Sequence, residues 1–300
     1  MEDYSQLVRE VITPEIKETV FTKPWEELKS TFTEDNRRSG GTKFTVPTRT
    51  SVSSNAAAYT KADVDPVAGT FVAVDATWTK LYQHTAFEVH GIDESQAANG
   101  GNPSVSSLIS DAAKMEMPQL WQNIYNSVYA QIKSDIDSSS AYSDASLSRS
   151  TYPTLASTEE STDTPITLAL LRTHSNAVRL NKLSGPKKGY TFAMETAVME
   201  RFEPLASQLH TWVVDSNTND KDLGYQTVGT WEGQKVVSPV GMTTGDVFYF
   251  RKQDVKIRMH RNLTISQVPS GRDSAKFVIR VGVNAYCDMP GFAGKMTSKD

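Results

Sequence analysis

The longest helical pattern of the chain lies at residues 102–137, NPSVSSLISDAAKMEMPQLWQNIYNSVYAQIKSDID. Apolar side chains recur there near a 3.6-residue period, at Val105, Leu108, Ile109, Ala112, Met115, Leu120, Trp121, Ile124, Val128, Ile132 and Ile136. Ser104 is the expected N-cap, and Pro118 is expected to kink the helix or divide it in two. At 1.5 Å of rise per residue the helix would be roughly 50 Å long. The stretch therefore predicts a rod against which other elements pack.

Two β-rich segments precede this helix and predict a long hairpin. They are residues 42–60, TKFTVPTRTSVSSNAAAYT, and residues 71–90, FVAVDATWTKLYQHTAFEVH, on either side of a turn around Asp65, Pro66 and Gly69. The hairpin is poor in large apolar side chains, so it would be only marginally stable alone in water. We therefore expect it to lie across an adjacent subunit.

The first 40 residues predict an N-terminal arm. A short amphipathic helix is expected from Tyr4, Leu7, Val8, Val11 and Ile12, with Pro14 ending it. Aromatic and apolar residues then interrupt a polar stretch at Phe21, Trp25, Leu28 and Phe32. This pattern indicates an arm that another molecule covers. Packing of the arm on its own domain is the alternative.

The chain after the long helix predicts a loop, an α/β block and a terminal sheet. Half of residues 138–165 are Ser or Thr, which is typical of a solvated surface loop. Helices are then expected at 166–183 and 195–210, and strands at 190–194, 225–228 and 235–237. A β-rich run at 247–250 and alternating patterns at 255–265 and 277–283 predict a β-sheet packed on the long helix, which makes the fold class α+β.

This order of elements resembles the Hong Kong 97-like major capsid fold of tailed bacteriophages, which encapsulins share. The resemblance is carried by the two hairpin segments, by the long helix, and by residues 245–267 and 276–297, GDVFYFRKQDVKIRMHRNLTISQ and KFVIRVGVNAYCDMPGFAGKMT. It implies an N-terminal arm at 1–40 and an extended loop at 41–91. It also implies a peripheral domain with a spine helix and β-sheet at 92–137 and 246–300, and an axial α/β domain at 138–245.

The resemblance implies a structural protein that assembles with copies of itself. The expected function is that of a major capsid protein, forming pentamers and hexamers of an icosahedral head that encloses double-stranded DNA. The chain would be a virion component assembled in the host cytoplasm, and it would contact the packaged DNA non-specifically. Only a short arm precedes the extended loop, which implies a separate scaffolding protein; portal and decoration proteins are further expected partners. The alternatives are an encapsulin-type nanocompartment shell and a tail or baseplate structural protein.

Composition bounds the class of protein independently of the resemblance. The single cysteine, Cys287, excludes an internal disulfide framework. Charged residues at Glu2, Asp3, Arg9 and Glu10 exclude a signal peptide, and no apolar run reaches the roughly 20 residues of a membrane helix. Net charge is −4, divided into +5 over 246–300 and −9 before it, which suits basic and acidic surfaces that meet in an assembly or between domains of one chain.

Motifs of catalysis and metal binding are absent from the sequence, so no catalytic, cofactor or metal site is predicted and the chain is not expected to be an enzyme. The five histidines are scattered over separate elements: His84, His90, His174, His210 and His260. A Cys287–His260 nucleophile and base pair is the remaining enzymatic hypothesis, although a lone strand cysteine usually behaves as a buried apolar residue. Three adjacent acidic pairs are interpreted as surface charge: Glu26/Glu27, Asp93/Glu94 and Glu159/Glu160. The glycosylation pattern at Asn262-Leu263-Thr264 is interpreted as accidental.

Overall fold

The computed structural model describes residues 4–37, 40–52, 71–90, 105–137, 159–162, 165–179, 189–208, 212–214, 225–239, 242–268, 274–288 and 293–298. The helices of this part are α1 (Ser5–Leu7), α2 (Thr13–Ile16), α3 (Thr22–Thr31), α4 (Val105–Asp137), α5 (Leu168–Arg179) and α6 (Thr196–Gln208). The strands before α5 are β1 (Thr33–Glu34), β2 (Lys43–Val52), β3 (Phe71–Thr79), β4 (Gln83–His90) and β5 (Glu159–Thr162). Those after it are β6 (Tyr190–Met194), β7 (Trp212–Val214), β8 (Tyr225–Trp231), β9 (Gln234–Pro239), β10 (Asp246–Arg251), β11 (Val255–Val268), β12 (Ser274–Cys287) and β13 (Gly294–Ser298).

The N-terminal segment stays helical through Pro14, so the prediction that Pro14 ends the helix is wrong. Stretches of π-helical geometry at Val8–Ile12 and Lys17–Phe21 separate α1, α2 and α3. In the first of these the Thr13 hydroxyl donates to the Val8 carbonyl, 2.8 Å away. Pro14 then lies in the first turn of α2, where a missing N–H costs least.

The helical arm packs on its own chain, so the prediction that another molecule covers it is wrong and the alternative is correct. The ring centroids of Phe21 and Trp121, the latter in α4, are 4.9 Å apart. The ring centroid of Phe32 lies 5.9 Å from that of Tyr129 and 5.5 Å from that of Phe250. Phe32 has no exposed surface and Phe21 is 2% exposed. Burial of each such ring contributes about 1.5–3 kcal/mol. The arm therefore supplies one wall of the core.

Helix α4 is a single helix of 33 residues, and Pro118 does not divide it. Pro118 lies on the exposed side of the helix, and the expected N-cap, Ser104, lies outside the described residues. The buried face runs along Ile109, Ala113, Met117, Leu120, Trp121, Ile124, Tyr125, Val128, Tyr129, Ile132 and Ile136. Met115, predicted on the apolar face, is 80% exposed, because the nearest buried positions, Ala113 and Met117, are each two residues away and lie on the opposite side of the helix.

A four-stranded sheet in the order β1-β11-β12-β4 packs on α4. Strand β12 is central and pairs antiparallel with both β11 and β4. The predicted alternation over 277–283 is present, but the strand is buried on both faces. Residues 71–90, predicted as one strand, form two: β3 ends at Thr79 and β4 leaves to join β12.

A seven-stranded sheet in the order β5-β13-β10-β6-β9-β8-β7 forms the second layer, with a separate core that α5 and α6 help to form. The prediction that 246–300 belongs wholly with the long helix is corrected at β10 and β13, which pair with β6 and β5. Strand β10 contributes to both cores because successive side chains of a strand point to opposite faces of its sheet. Phe248 and Phe250 point into the core around α4, whereas Val247 and Tyr249 point into the second core.

The remaining sheet is the hairpin of β2 and β3, which pair antiparallel from Lys43↔Thr79 to Val52↔Phe71. The described strands confirm antiparallel pairing of the two segments. The predicted turn around Asp65 to Gly69 lies outside the described residues, as does most of the Ser/Thr-rich segment 138–165. Within that segment, residues 159–162 form the edge strand β5 instead of a loop.

Candidate functional site

The β2–β3 hairpin joins the rest of the protein at a buried aromatic cluster. The rings of Phe44 and Trp78 are stacked with centroids 5.7 Å apart, and they lie 5.5 and 4.8 Å from the ring of Tyr286 in β12. Phe44 is 1% exposed and Trp78 is 6% exposed. The base of the hairpin is therefore part of the protein core. We call the group Phe44, Trp78, Asp135, Asn284 and Tyr286 the hairpin anchor.

Asp135 near the end of α4 ties the hairpin to both the helix and the sheet. The Trp78 Nε1–H donates to both carboxylate oxygens at 3.2 Å, and the backbone N–H of Cys287 donates to Oδ2 at 2.8 Å. Asp135 is 4% exposed. Burial raises its pKa to about 7, although the hydrogen bonds from Cys287 and Trp78 act in the opposite direction. The carboxyl thus titrates near neutral pH.

Asn284 fixes the junction at which β3 passes into β4. Its Nδ2 donates to the Thr79 carbonyl and to Gln131 Oε1, both at 2.9 Å, and its Oδ1 accepts the Leu81 N–H at 2.9 Å. Asn284 is 1% exposed, so these bonds satisfy a buried amide. They hold the exit of the hairpin at one position along α4 and β12.

The end of the N-terminal arm closes the other side of the hairpin anchor. Asp35 accepts hydrogen bonds from Arg37 Nε at 2.8 Å and from the Tyr286 hydroxyl at 2.6 Å. The Arg258 guanidinium lies 3.6 Å from Asp35 and 4.7 Å from the ring centroid of Phe44. Burial opposes ionisation of Asp35, but the hydrogen bonds from Arg37 and Tyr286 outweigh it and lower its pKa. This ion network joins the arm, β11, β12 and the hairpin.

The fold does not bring Cys287 and His260 together. Cys287 is fully buried opposite Val255, whereas His260 lies beside Gly282, five residues along β12. At about 3.3 Å per residue that separation is roughly 15 Å, too far for a nucleophile and base pair. Among the described residues no group of three His, Cys, Asp or Glu could hold a metal ion.

The other predicted positions are also dispersed. His84 and His90 are exposed at the two ends of β4, and His174 is buried in α5. His210 and the Asp93/Glu94 pair lie outside the described residues. Glu159 and Glu160 are on β5. No helix of the described ranges is long and apolar enough to cross a membrane.

Sequence reasoning missed the hairpin anchor, although one signal for it was present. Asp135 lies seven residues after Val128, so a carboxylate occupies the apolar stripe of the long helix. A buried charge on such a stripe indicates a specific partner. Its partners, Trp78 and Cys287, are 57 and 152 residues away, which sequence periodicity cannot reveal.

The sequence matches no family model and no curated protein. Solved structures, by contrast, match over almost the whole chain. A virus-like particle from Pyrococcus furiosus has a TM-score of 0.53 at 11% identity, covering 98% of this chain and 100% of that one. The capsid of cyanophage A-1(L) has a TM-score of 0.58 at 14% identity, covering 90% and 92%. The capsid of a native GTA particle has a TM-score of 0.51 at 8% identity, covering 91% and 89%.

At these identities the likeness establishes the fold. The chain has the mixed helix-and-sheet fold of phage capsid proteins and of the virus-like particle. The resemblance to the Hong Kong 97-like fold, expected from the order of elements, is confirmed at that level.

Proposed function

We propose that this chain is the major capsid protein of a tailed bacteriophage, many copies of which form an icosahedral head around double-stranded DNA. The observation that carries the proposal is the extent of the fold match, which covers nine-tenths of both this chain and the cyanophage A-1(L) capsid chain. A match of that extent leaves little of either chain for an unrelated domain. Such a protein acts by self-association, without a catalytic site.

The hairpin is the element that suits contact between subunits. Strands β2 and β3 pair with each other, and their base is fixed to the core through Phe44 and Trp78. In this proposal the hairpin is the extended loop, which lies across an adjacent subunit, and α4 is the spine helix. The four-stranded sheet and α4 form the peripheral domain. The axial domain is built on the seven-stranded sheet, including β10 and β13.

The proposed assembly consists of pentamers and hexamers. Each contact between subunits is modest, and closed symmetry makes the total strong. Separate scaffolding, portal and decoration proteins are the proposed further partners, and the packaged DNA is contacted non-specifically. Assembly takes place in the host cytoplasm, and the protein resides in the virion.

A shell without a genome is the second candidate. The match to the virus-like particle from Pyrococcus furiosus, which covers 98% of this chain and 100% of that one, favours it. The contents of purified particles separate the two candidates. Nuclease-resistant double-stranded DNA supports the phage head, and a protein cargo supports the compartment shell.

The test of self-assembly is electron microscopy of the recombinant protein, with and without a candidate scaffolding protein. Closed particles are expected, and a protein that stays monomeric under both conditions overturns the proposal.

A deletion variant that lacks residues 48–70 tests the role of the hairpin. It retains Phe44, Val46 and Trp78 of the hairpin base, so we expect a folded monomer that does not assemble. Normal shells from this variant would contradict the role given to the hairpin.

A further inference from the structure

A cavity of about 180 Å³ lies at the root of the hairpin, where β3 ends and the chain turns toward β4. Its walls include Trp78 and Leu81 from the hairpin side, Gln131 and Asp135 from α4, and Asn284 from β12. The walls thus combine an aromatic ring and an aliphatic side chain with amide and carboxylate oxygens. Such a lining suits a guest that has an apolar stem and a polar, hydrogen-bond-donating end.

The carboxylate of Asp135 lacks a cationic partner within the part of the chain that the structure describes. Among the described residues no Lys, Arg or His nitrogen lies within 4.0 Å of it, and its partners are the N–H groups of Trp78 and Cys287. Two basic side chains on adjoining elements make ion pairs elsewhere, Lys133 with Asp246 at 2.7 Å and Arg258 with Asp35 at 3.6 Å. Buried charges in proteins are normally paired.

Over the described ranges, the titratable groups of the surrounding elements face partners other than Asp135. Lys80 at the hairpin junction places its Nζ 3.4 Å from the Gly40 carbonyl, and Lys133 on α4 faces Asp246. From the sheet, Arg258 and Tyr286 face Asp35, and His260 faces Tyr82. Burial sets the pKa of Asp135, opposed only by the hydrogen bonds from Cys287 and Trp78. A cation that entered the cavity would therefore meet an uncompensated negative charge.

The mouth of the cavity carries exposed apolar surface. Leu81, which lines the cavity, is 37% exposed, and the adjacent Tyr82 is 53% exposed. The ring of Tyr82 lies edge-on against the ring of His260, with centroids 4.8 Å apart. Aromatic residues around a buried polar group are typical of the energetic centres of protein interfaces.

We propose that this cavity receives a lysine or arginine side chain from a second copy of the chain, whose cation pairs with Asp135 while Leu81 and Tyr82 pack around its stem. The partner is a second copy because the hairpin whose root forms the cavity is the proposed contact between subunits. The inference therefore rests on the proposed function and names one contact within it. The chain has 31 Lys and Arg residues to supply the guest.

The test compares Asp135→Asn with Asp111→Asn, a control on the exposed face of the same helix. The measurement is the threshold protein concentration for assembly at pH 6 and pH 8, followed by light scattering. With a pKa of about 7 for Asp135, its ionised fraction rises about tenfold over this range, so each wild-type contact strengthens by up to about tenfold. We expect the control to behave as wild type. Asp135→Asn should assemble poorly at both pH values and lack this pH dependence.

The outcomes separate the two proposals. If wild type forms no particles, the proposed function fails. If wild type forms particles and Asp135→Asn matches it at pH 8, the proposed function stands and the cavity contact is wrong. A reconstruction of the wild-type particle decides the matter even if the variant does not fold. A basic side chain of a neighbouring copy within 4 Å of the Asp135 carboxylate is expected, and a cavity occupied by anything else, or by solvent, overturns the inference.

Discussion

Replacement of Asp135 by Asn should lower the stability of the monomer at pH 5 and raise it at pH 9. Burial raises the pKa of Asp135 from 3.8 to about 7, so the folded protein binds a proton more tightly than the unfolded chain does. The contribution of Asp135 to wild-type stability therefore falls as the pH rises from about 4 to 7, and it levels off above that range. One pKa unit corresponds to about 1.4 kcal/mol, so about 3 kcal/mol is lost between pH 5 and pH 9. Asparagine does not titrate and avoids this loss.

The sign of the effect at each pH follows from the hydrogen bonds. At pH 5 the wild-type carboxyl is mostly neutral, and the variant offers one acceptor oxygen to the Trp78 and Cys287 N–H groups in place of two. The variant should then be about 1 kcal/mol less stable than wild type. At pH 9 the wild-type carboxyl is ionised and buried, so the variant should be about 2 kcal/mol more stable.

The assay is urea unfolding of both proteins at pH 5, 7 and 9, at concentrations below the assembly threshold. The quantity compared is the difference in the free energy of unfolding, in which other titrating groups such as Asp254 and Asp288 cancel. Asp111→Asn, on the exposed face of the same helix, serves as the control. A constant difference for Asp135→Asn between pH 5 and pH 9 would refute the burial of an ionisable group at the hairpin root.

Three further predictions test other parts of the fold, two of them with a matched control variant. Phe21→Ala should lower the free energy of unfolding by about 3–5 kcal/mol, because it empties a buried site under the arm. Val11→Ala on the exposed side of the arm should cost less than about 0.5 kcal/mol, and equal effects would show that the arm is not packed. Burial lowers the pKa of His260 to about 4, so the contribution of His260 to stability should rise with pH between 4 and 6.5, and His260→Gln should remove that contribution in acid-unfolding curves. Gly245 and Gly41 both have positive φ, but only at Gly245 would a Cβ meet a backbone carbonyl oxygen. Gly245→Ala should therefore destabilise by about 1–3 kcal/mol more than Gly41→Ala in thermal melts; equal losses would contradict this close approach.

The local periodicity of the sequence was sufficient for the order and type of most elements. The 3.6-residue period of residues 102–137 predicted α4, alternation predicted β11 and β12, and β-rich composition predicted β6 and β10. Element order then indicated the capsid fold. The type and order of these elements can be predicted because side chains that share one face of a helix or strand are buried together. The spacing of apolar residues in the sequence shows which side chains share a face.

Only the tertiary structure decided where each face is buried. The pattern of aromatic residues in the arm is compatible with cover by another molecule or by the arm's own domain. The contact between Phe21 and Trp121, a hundred residues away, shows that the arm packs on its own chain. Strand β10 lies in the seven-stranded sheet because it pairs with β6 and β13, which come from other parts of the chain. Asp135 acquires its raised pKa from burial beneath the hairpin. Periodicity describes one segment at a time, whereas burial depends on which distant segments meet.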